Sequence, residues 1–576
     1  MPARRNTLVA ALVLPVLLFL GVVYFYPLSK LALLSFGPPQ FTLENYRRFL
    51  LDEGYLTIAA RTLVFSLTVT GLCALIGYTT AAFLDKQTRH GRGWVILLVV
   101  VPLTTSLLVR TYAWIIVLGD RGPINGMLQL LGLVDEPVPM LFSSFAVVIG
   151  MVHLMLPMMI LPIYSAMRGM DRELLRASAS LGAGPVRSFL SAYLPQTLPG
   201  VASGCIMVFV LSLGFYITPA ALGGLDDVML SNVIAQQVGS AMNFSFAAAI
   251  AMILLVSVLV ALLIGNGVAR QLRAMRRRGG GHTASWPSRL GLSRLVERHW
   301  CAWLRSNWQR RLNRPAARQH GRAPLLDATG WAVLLFMVLP TLVVVAISFG
   351  ADPFMSFPPR HPTLQWYRSF FSDVSWLSAL ALSVQLAILT ACLAVVLATT
   401  AAYGFSRSRF PGQSLCRALI LAPMIVPSVV GAIGMYGVMS SWGLVGSAAG
   451  VTLANTCGAI TLAFLIVSAG MTLLDVRLEM ASQGMGASRW QTFRKIVLPP
   501  LAPSMHAAAM LAFIYAFDEV VVASFIGGLQ LRTLPLRMWE DVRNQVDPTI
   551  AAVSAILLLV PILALTLTRK SRVLVS

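Results

Sequence analysis

Along the chain, twelve long apolar runs alternate with short polar segments. Each run is long enough to cross the roughly 30 Å hydrocarbon core of a bilayer as an α-helix. The pattern predicts spans at about residues 8–27, 60–84, 94–118, 140–166, 200–222 and 246–268, then 328–348, 377–404, 416–439, 449–474, 504–526 and 549–568. A closed barrel would instead need short segments of alternating polarity, so the fold class is an all-α polytopic membrane protein. The first run is too long for the apolar core of a signal peptide and has no small-residue cleavage site after it, so it reads as a retained span.

Two of the polar segments match each other. The one after the fourth span reads LLRASASLGAGPVRSFLSAYLPQTLP from Leu174 to Pro199, and the one after the tenth reads LEMASQGMGASRWQTFRKIVLPPLAP from Leu478 to Pro503. Aligned on Gly182 and Gly486, Ala177 matches Ala481, Ser178 Ser482, Ala183 Ala487, Phe189 Phe493, Leu194 Leu498 and Pro195 Pro499, at a constant offset of 304 residues (486 − 182). Thr42-Leu-Glu-Asn-Tyr-Arg47 likewise returns as Thr363-Leu-Gln-Trp-Tyr-Arg368, and Thr79-Thr-Ala-Ala82 as Thr399-Thr-Ala-Ala402, at offsets of 321 and 320. The chain is therefore two six-span halves, 1–269 and 326–576, joined by a linker, 270–325. The repeated loops are 172–199 and 476–503. Extra residues in the first half are expected between Gly119 and Pro139. An even number of spans per half inserts both the same way up, as a parallel repeat.

Composition agrees: 57% of residues are hydrophobic, 11% are charged, and the mean hydropathy is +0.76. The net charge of +22 would suggest a nucleic-acid partner in a soluble chain, but here the Lys and Arg fall by parity on one side of the spans. That side is assigned to the cytoplasm by the positive-inside rule, with both termini inside and both repeated loops cytoplasmic. In the linker, Trp286, Trp300, Trp303 and Trp308 interleave with Arg289, Arg294, Arg298, Arg305 and Arg310. This suits a segment lying on anionic membrane lipid, and nucleic acid is not an expected partner.

No phosphate-binding loop, His-Glu-x-x-His or Gly-x-Ser-x-Gly occurs, the six Cys have no metal-ligand spacing, and no catalytic residue is expected. The chain is thus not read as an enzyme, and neither a cofactor nor a metal is expected on it. Ionisable groups inside spans mark pathways by default, which singles out Asp518, Glu519 and Arg110. The matching stretch of the first half, LSLGFYITPAALGG, carries the aromatics Phe215 and Tyr216 but no acid, while Tyr112, Trp114 and Tyr436 are candidate pathway aromatics. A carboxylate opposite aromatic rings suits a cationic amine through ion pairing and cation–π contact. The alternative is that Asp518 or Glu519 serves as a structural partner for an Arg such as Arg110, or sits near the outer interface.

The two loops resemble the cytoplasmic coupling loop of bacterial ABC importer permeases, whose signature runs Gly-Ala, then Phe, then Leu-Pro. The stretch FYPL…SF…FTLENYRRFL and Gly223-Gly224 make the first half similar to the first permease of the spermidine/putrescine-type importer. ISFG…PTLQWYRSFFSD and the FDE of the eleventh span make the second half similar to its second permease. The resemblance implies a type I ABC importer permease fold with its two halves fused, located in the bacterial inner membrane. Two ATPase subunits, which carry ATP and Mg, would grip Ala177, Ser178, Gly182, Ala183, Phe189, Leu194 and Pro195 in one loop. In the other they would grip Glu479, Ala481, Ser482, Gly486, Ala487, Phe493, Leu498 and Pro499. A periplasmic binding protein would deliver the solute from outside. One departure stands out: the motif's Glu belongs six residues before the Gly, where this chain has Arg176 and Met480, and Glu479 stands beside that place in the second copy only. The favoured solute is a polyamine. Aminoethylphosphonate, iron(III) or another small solute in the same kind of importer is the alternative, and an ion-coupled secondary carrier is a more distant one.

Overall fold

Aspartates, prolines and glycines at repeated positions set where the helices begin and bend. The computed structural model describes residues 11–278, 324–352, 357–359, 361–408, 410–528, 530–544 and 547–558. In the first half the helices are α1 Ala11–Leu34, α2 Glu44–Leu51, α3 Glu53–Lys86, α4 Arg89–Thr104, α5 Leu107–Leu118, α6 Pro123–Leu130, α7 Ser144–Arg168, α8 Arg172–Ser180, α9 Leu194–Leu213, α10 Ile217–Leu222, α11 Leu230–Gly239 and α12 Phe244–Arg278. The second half contains α13 Pro324–Ile347, α14 Gln365–Ser372, α15 Val374–Arg407, α16 Gln413–Ile425, α17 Ser428–Ser441, α18 Ala448–Thr472, α19 Val476–Gly484, α20 Leu498–Asp518, α21 Val521–Ile526, α22 Leu534–Asn544 and α23 Thr549–Leu558.

The sequence repeat is also a repeat of hydrogen bonds. Asp52 caps α3 by accepting from the Gly54 amide at 2.8 Å, and Asp373 caps α15 by accepting from the Ser375 amide at 2.7 Å. The Tyr of each Thr-Leu-x-x-Tyr-Arg copy ties α2 or α14 to the preceding span, Tyr46 to Ser35 and Tyr367 to Ser348, both at 2.7 Å. Thr62 accepts from the Leu230 amide at 3.0 Å and Ser383 from the Leu534 amide at 2.7 Å, so a hydroxyl of the long second helix caps α11 or α22 in each half. The extra residues of the first half are α6 and its flanks, between α5 and α7, as the offsets predict.

Among the described residues nine helices are long and apolar enough to cross a membrane, or eleven when each of two bent pairs counts as one span. The bent pairs stand at the crossings expected over 94–118 and 416–439. The axis turns by 94° between α4 and α5 and by 100° between α16 and α17. In the second break Pro427 forces Val426 out of the helical region, to ψ 129. In the first, Thr105 takes ψ 145 three residues after Pro102 and closes its hydroxyl on the Pro102 carbonyl at 2.8 Å. The fifth and eleventh spans are interrupted too, at Gly214–Tyr216 and Glu519–Val520. The twelfth is helical over Thr549–Leu558 and then leaves the described residues, as does most of the linker, from 279 to 323. Its first residues, expected to be linker from 270, continue α12 as far as Arg278.

Each half packs α3, α7 and α9, or α15, α18 and α20, against one another. The first helix of each half crosses to the other: α1 lies against α15, α16 and α17, and α13 against α3, α4 and α5. Small residues allow this close crossing. A Cβ on Gly431 would sit 3.4 Å from the Tyr24 ring, and one on Gly330 only 2.2 Å from the Phe83 ring.

Candidate functional site

The repeated loops fold alike down to single hydrogen bonds. Asp171 and Asp475 cap α8 and α19, each accepting at 2.9 Å from the amide two residues on. Gly182 and Gly486 end these helices in the left-handed region, at φ +78 and +88, where a side chain would clash with its own backbone. The next amide then reaches back, Ala183 to the Ser178 carbonyl at 3.1 Å and Ala487 to the Ser482 carbonyl at 3.2 Å. Glycine amides bond at 3.0 and 3.1 Å to Ala179 and Gln483. This is the Schellman stop, and it is what the Gly-Ala pair of each copy encodes. Across the turn, Ser178 meets Ser188 at 2.7 Å and Ser482 meets Thr492 at 3.2 Å, fixing the angle between the two arms.

Each second arm starts as a short α-turn, Pro185–Ser188 or Arg489–Thr492, and widens into a π-helical turn, Phe189–Tyr193 or Phe493–Val497, just before Leu194-Pro195 or Leu498-Pro499. Proline has no amide to give and would crowd the carbonyl four residues back, and widening the turn relieves both problems. The two Phe rings meet a tyrosine of the long helix edge-on, Phe189 against Tyr78 at 6.3 Å and Phe493 against Tyr403 at 5.4 Å. Ala177 and Ala481 lie exposed on α8 and α19. At the loop tips Leu181 and Met485 are 88% and 83% exposed, with Leu174, Leu190, Leu478, Met480 and Trp490 also open. Exposed apolar side chains in this number, on a polar end of the molecule, mark a surface made to be covered. Glu479 departs from its expected place on that surface. It is buried, its carboxylate accepting from Arg407 Nε at 2.7 Å and from the Tyr403 hydroxyl at 3.0 Å.

A cavity of about 360 Å³ lies where the halves meet. Phe215, Tyr216 and Glu519 line it, together with Tyr24 of α1, Tyr515 of α20 and Pro427, Gly431 and Met435 of the second half. Glu519 ends α20 and turns its carboxylate back onto the amides of Val521 and Val522 at 3.1 and 3.2 Å, in hydrogen-bond contact with Tyr515. Sequence reasoning missed Tyr24 and Tyr515, although Tyr515 stands in the same FIYAFDE stretch as the acids. Trp539 of α22 packs on Tyr216 at 6.0 Å, and α22 is in turn held by Arg537. That guanidinium lies 4.0 Å over the Trp376 ring, pairs with Asp373 at 3.1 Å and bonds to the Ser375 hydroxyl.

The neighbouring acid does different work. Asp518 accepts from the Leu107 amide at 2.8 Å and from the Ser106 hydroxyl, so a carboxylate of the second half caps α5 of the first. Ser106, the capping residue by position, makes no cap bond of its own because its hydroxyl is given to Asp518. Arg110, one turn into α5, is buried beside the same carboxylate, and its Nε and Nη1 have no hydrogen-bond partner among the described residues. Asp518 thus serves as a hydrogen-bond partner of α5, not as the ion-pair partner of Arg110, while Glu519 faces the cavity. Arg110, Tyr112, Trp114 and Tyr436 lie outside its lining: Tyr112 and Trp114 are buried, and Tyr436 stacks on Phe244 at 5.8 Å.

The Asp373 clamp carries a pH prediction. Hydrogen bonds, first from the Ser375 amide and then from Arg537, hold the Asp373 carboxyl below its usual range. A depressed value means that the clamp contributes fully above the ordinary carboxylate pKa and is lost as pH falls through the folded one. In thermal unfolding of the purified chain, wild type should outlast Asp373→Asn at neutral pH, and the gap should close below the ordinary value of 3.8. A gap that persists in acid would show that the charge of Asp373 is not what stabilises the clamp.

The model of the family described as binding-protein-dependent transport system inner membrane component matches residues 72–273 and again 394–569, one copy in each half. The spermidine/putrescine transport system permease protein PotB of Escherichia coli is 34% identical over 230 residues, which are 40% of this chain and 83% of that protein. The inner membrane ABC transporter permease protein YdcU of Escherichia coli is 31% identical, over 42% and 83% of the two chains. The spermidine/putrescine transport system permease protein PotC of Haemophilus influenzae is 26% identical, over 43% of this chain and 97% of its own. A crystal structure of a bacterial ABC transporter that imports the acidic polysaccharide alginate aligns with a TM-score of 0.41 at 19% identity, over 46% of this chain and 96% of that one. Two copies of the family domain, two matching loops and a cavity between the halves agree, and the chain belongs to the binding-protein-dependent transport system inner membrane component family as a fused, two-half ABC transporter permease.

Proposed function

We propose that the chain is the membrane subunit of an ATP-driven importer that carries a polyamine inward by alternating access. The observation that carries the substrate class is the Glu519 carboxylate in the inter-half cavity, among the rings of Tyr24, Phe215, Tyr216 and Tyr515. An ammonium group there gains an ion pair and cation–π contact in one place. A methylene chain fits the apolar remainder, which includes Met155, Met158 and Met435. The names of the PotB and PotC relatives support the same reading.

In this reading a periplasmic binding protein hands the polyamine to the outer face, and two ATPase subunits take the apolar tips of the repeated loops into their grooves. ATP and Mg belong to those subunits, and this chain contributes no catalytic residue. Closure of the ATPase pair draws the loops together and opens the cavity outward, and hydrolysis returns it inward. Both chain termini lie in the cytoplasm, in the inner membrane of a bacterium.

Uptake of labelled putrescine and spermidine, in cells carrying the native partners and no other polyamine importer, tests this. Deletion of the chain and Glu519→Gln are both expected to abolish uptake, the latter at normal membrane levels. Full uptake in the deletion strain would sink the substrate assignment. Restoration of that loss by aminoethylphosphonate rather than polyamine supply would move it to that solute. Co-purification of an ATPase subunit separates the ABC reading from an ion-coupled carrier.

A further inference from the structure

The two loops are fastened to their own halves by ion pairs of opposite polarity. In the second loop the acid is on the loop: Glu479 of α19 takes Arg407 Nε at 2.7 Å and the Tyr403 hydroxyl at 3.0 Å, both from the end of α15. In the first the base is on the loop: Arg172 of α8 pairs at 2.8 Å with Asp85, one residue before the end of α3. Each pair sits beside the ring contact already described, Phe493 on Tyr403 or Phe189 on Tyr78. The two fastenings differ in exposure. Side chains of Arg407 and Glu479 are 11% and 8% exposed, whereas Arg172 is 58% exposed against Asp85 at 11%. An exposed pair yields to water and salt, and a buried one with a further hydroxyl donor holds its geometry.

We propose that the Glu479–Arg407–Tyr403 cluster is the strut that carries displacement of the second loop into the membrane domain, and that its two charged members are positioning residues for transport. This rests on the reading of the chain as an ATPase-driven permease. Beside the cluster Phe493 packs on the Tyr403 ring, and the apolar tip of the loop is open for a partner. From the cluster the route runs along α15, which packs on α18 and α20. Those two helices bring Ala454, Cys457, Gly458, Tyr515 and Glu519 to the cavity. A rigid strut on one side and a compliant one on the other makes the second loop the stiffer input. Glu479 does this from inside the half, where a Glu one place further on, at the position of exposed Met480, would face outward to a partner.

The test uses the full complex in proteoliposomes, with its ATPase and binding protein, and reads putrescine imported per ATP hydrolysed. Glu479→Gln and Arg407→Gln should lower that ratio roughly 2- to 30-fold, the span expected for residues that transmit coupling, at unchanged complex assembly. The exchanged pair, Glu479→Arg with Arg407→Glu, should recover most of it, and Arg172→Gln should cost less, about fivefold at most, as for an exposed pair. A fold defect would lower assembly or both activities together and would not be rescued by the exchange. A second readout needs no substrate. On adding a non-hydrolysable ATP analogue to the assembled complex, amide hydrogen exchange around residues 515–522 should change in wild type and not in Glu479→Gln. Unchanged ratios in the single variants, or a loss that the exchange fails to recover, would overturn the strut. Absence of putrescine uptake with a normal exchange response would count against the substrate and leave the strut standing.

Discussion

Replacing Asp518 by alanine is expected to lower the amount of folded protein in the membrane, not merely its transport. The substitution removes the acceptor for the Leu107 amide and the Ser106 hydroxyl, and α5 loses its only side-chain cap. A lost cap typically costs about 1 kcal/mol. It also leaves Arg110 buried without the opposing charge. Arg110 makes no ion pair with Asp518, so this through-space loss adds to that of the cap without a broken salt bridge. A lost cap is an appreciable part of the ~5–15 kcal/mol that holds an ordinary domain folded. Membrane level and thermal stability in detergent should both fall for Asp518→Ala. Asp518→Asn keeps one acceptor oxygen for the Leu107 amide and sets its NH2 against the Ser106 hydroxyl, which can accept, and should fall by less, whereas Glu519→Gln should leave both near wild type while uptake is lost. Wild-type level and stability in Asp518→Ala, with uptake gone, would return Asp518 to the transport pathway and remove the capping argument.

That division of labour between adjacent acids was not readable from the chain. Composition identified the pair as costly in a membrane, but the partner of Asp518 lies 411 residues away in the other half, and no local pattern reports such a contact. The same holds for Glu479, whose partner Arg407 is 72 residues off. What was legible rests on local backbone rules. The matched Gly-Ala and Leu-Pro pairs stood out because Gly182 and Gly486 serve a left-handed stop and the Leu-Pro pairs a widened turn, while the capping Asp171 and Asp475 were not singled out. Helical breaks at Thr105 and Val426 fall between: the prolines were visible, but a kinked helix and a re-aimed one have the same composition.

The breaks also explain why only one half needs the acid. Position 518 corresponds to Gly214 at the loop offset of 304, and Ser106 corresponds to Pro427 at the offset of 321. The end of α20 meets the α4–α5 break through Asp518, and the end of α9 meets the α16–α17 break through Gly214. A Cβ on Gly214 would lie 2.7 Å from Pro427 Cβ, so this contact is made by backbone proximity alone. Where the break offers the Ser106 hydroxyl and the Leu107 amide, the partner is a carboxylate; where Pro427 stands in place of the serine and its hydroxyl, the partner is a glycine against the proline ring. One pseudo-symmetric contact is thus solved once by hydrogen bonding and once by packing. The polar solution places Glu519, the next residue, at the cavity.

Exchange of first helices between the halves supplies the other large prediction. On α13, Gly330 faces Phe83 of α3 so closely that a Cβ would lie 2.2 to 2.6 Å from three ring atoms, and Phe83 is fully buried. One turn away Lys86 and Asp327 pair at 3.0 Å across the same crossing. Gly330→Leu therefore forces α13 away from α3, with a cost of at least about 1–3 kcal/mol for overpacking a core. The thermal midpoint in detergent should drop clearly. Phe83→Ala alone should also destabilise, by about 3–5 kcal/mol for an emptied aromatic site. The two together should be less harmful than their sum, because the leucine enters the space the ring leaves. A coupling energy above about 1 kcal/mol in that direction would place the two residues in one contact. Additive losses would mean that α13 does not pack on α3 through this glycine, and the crossing of the halves would have to be drawn elsewhere.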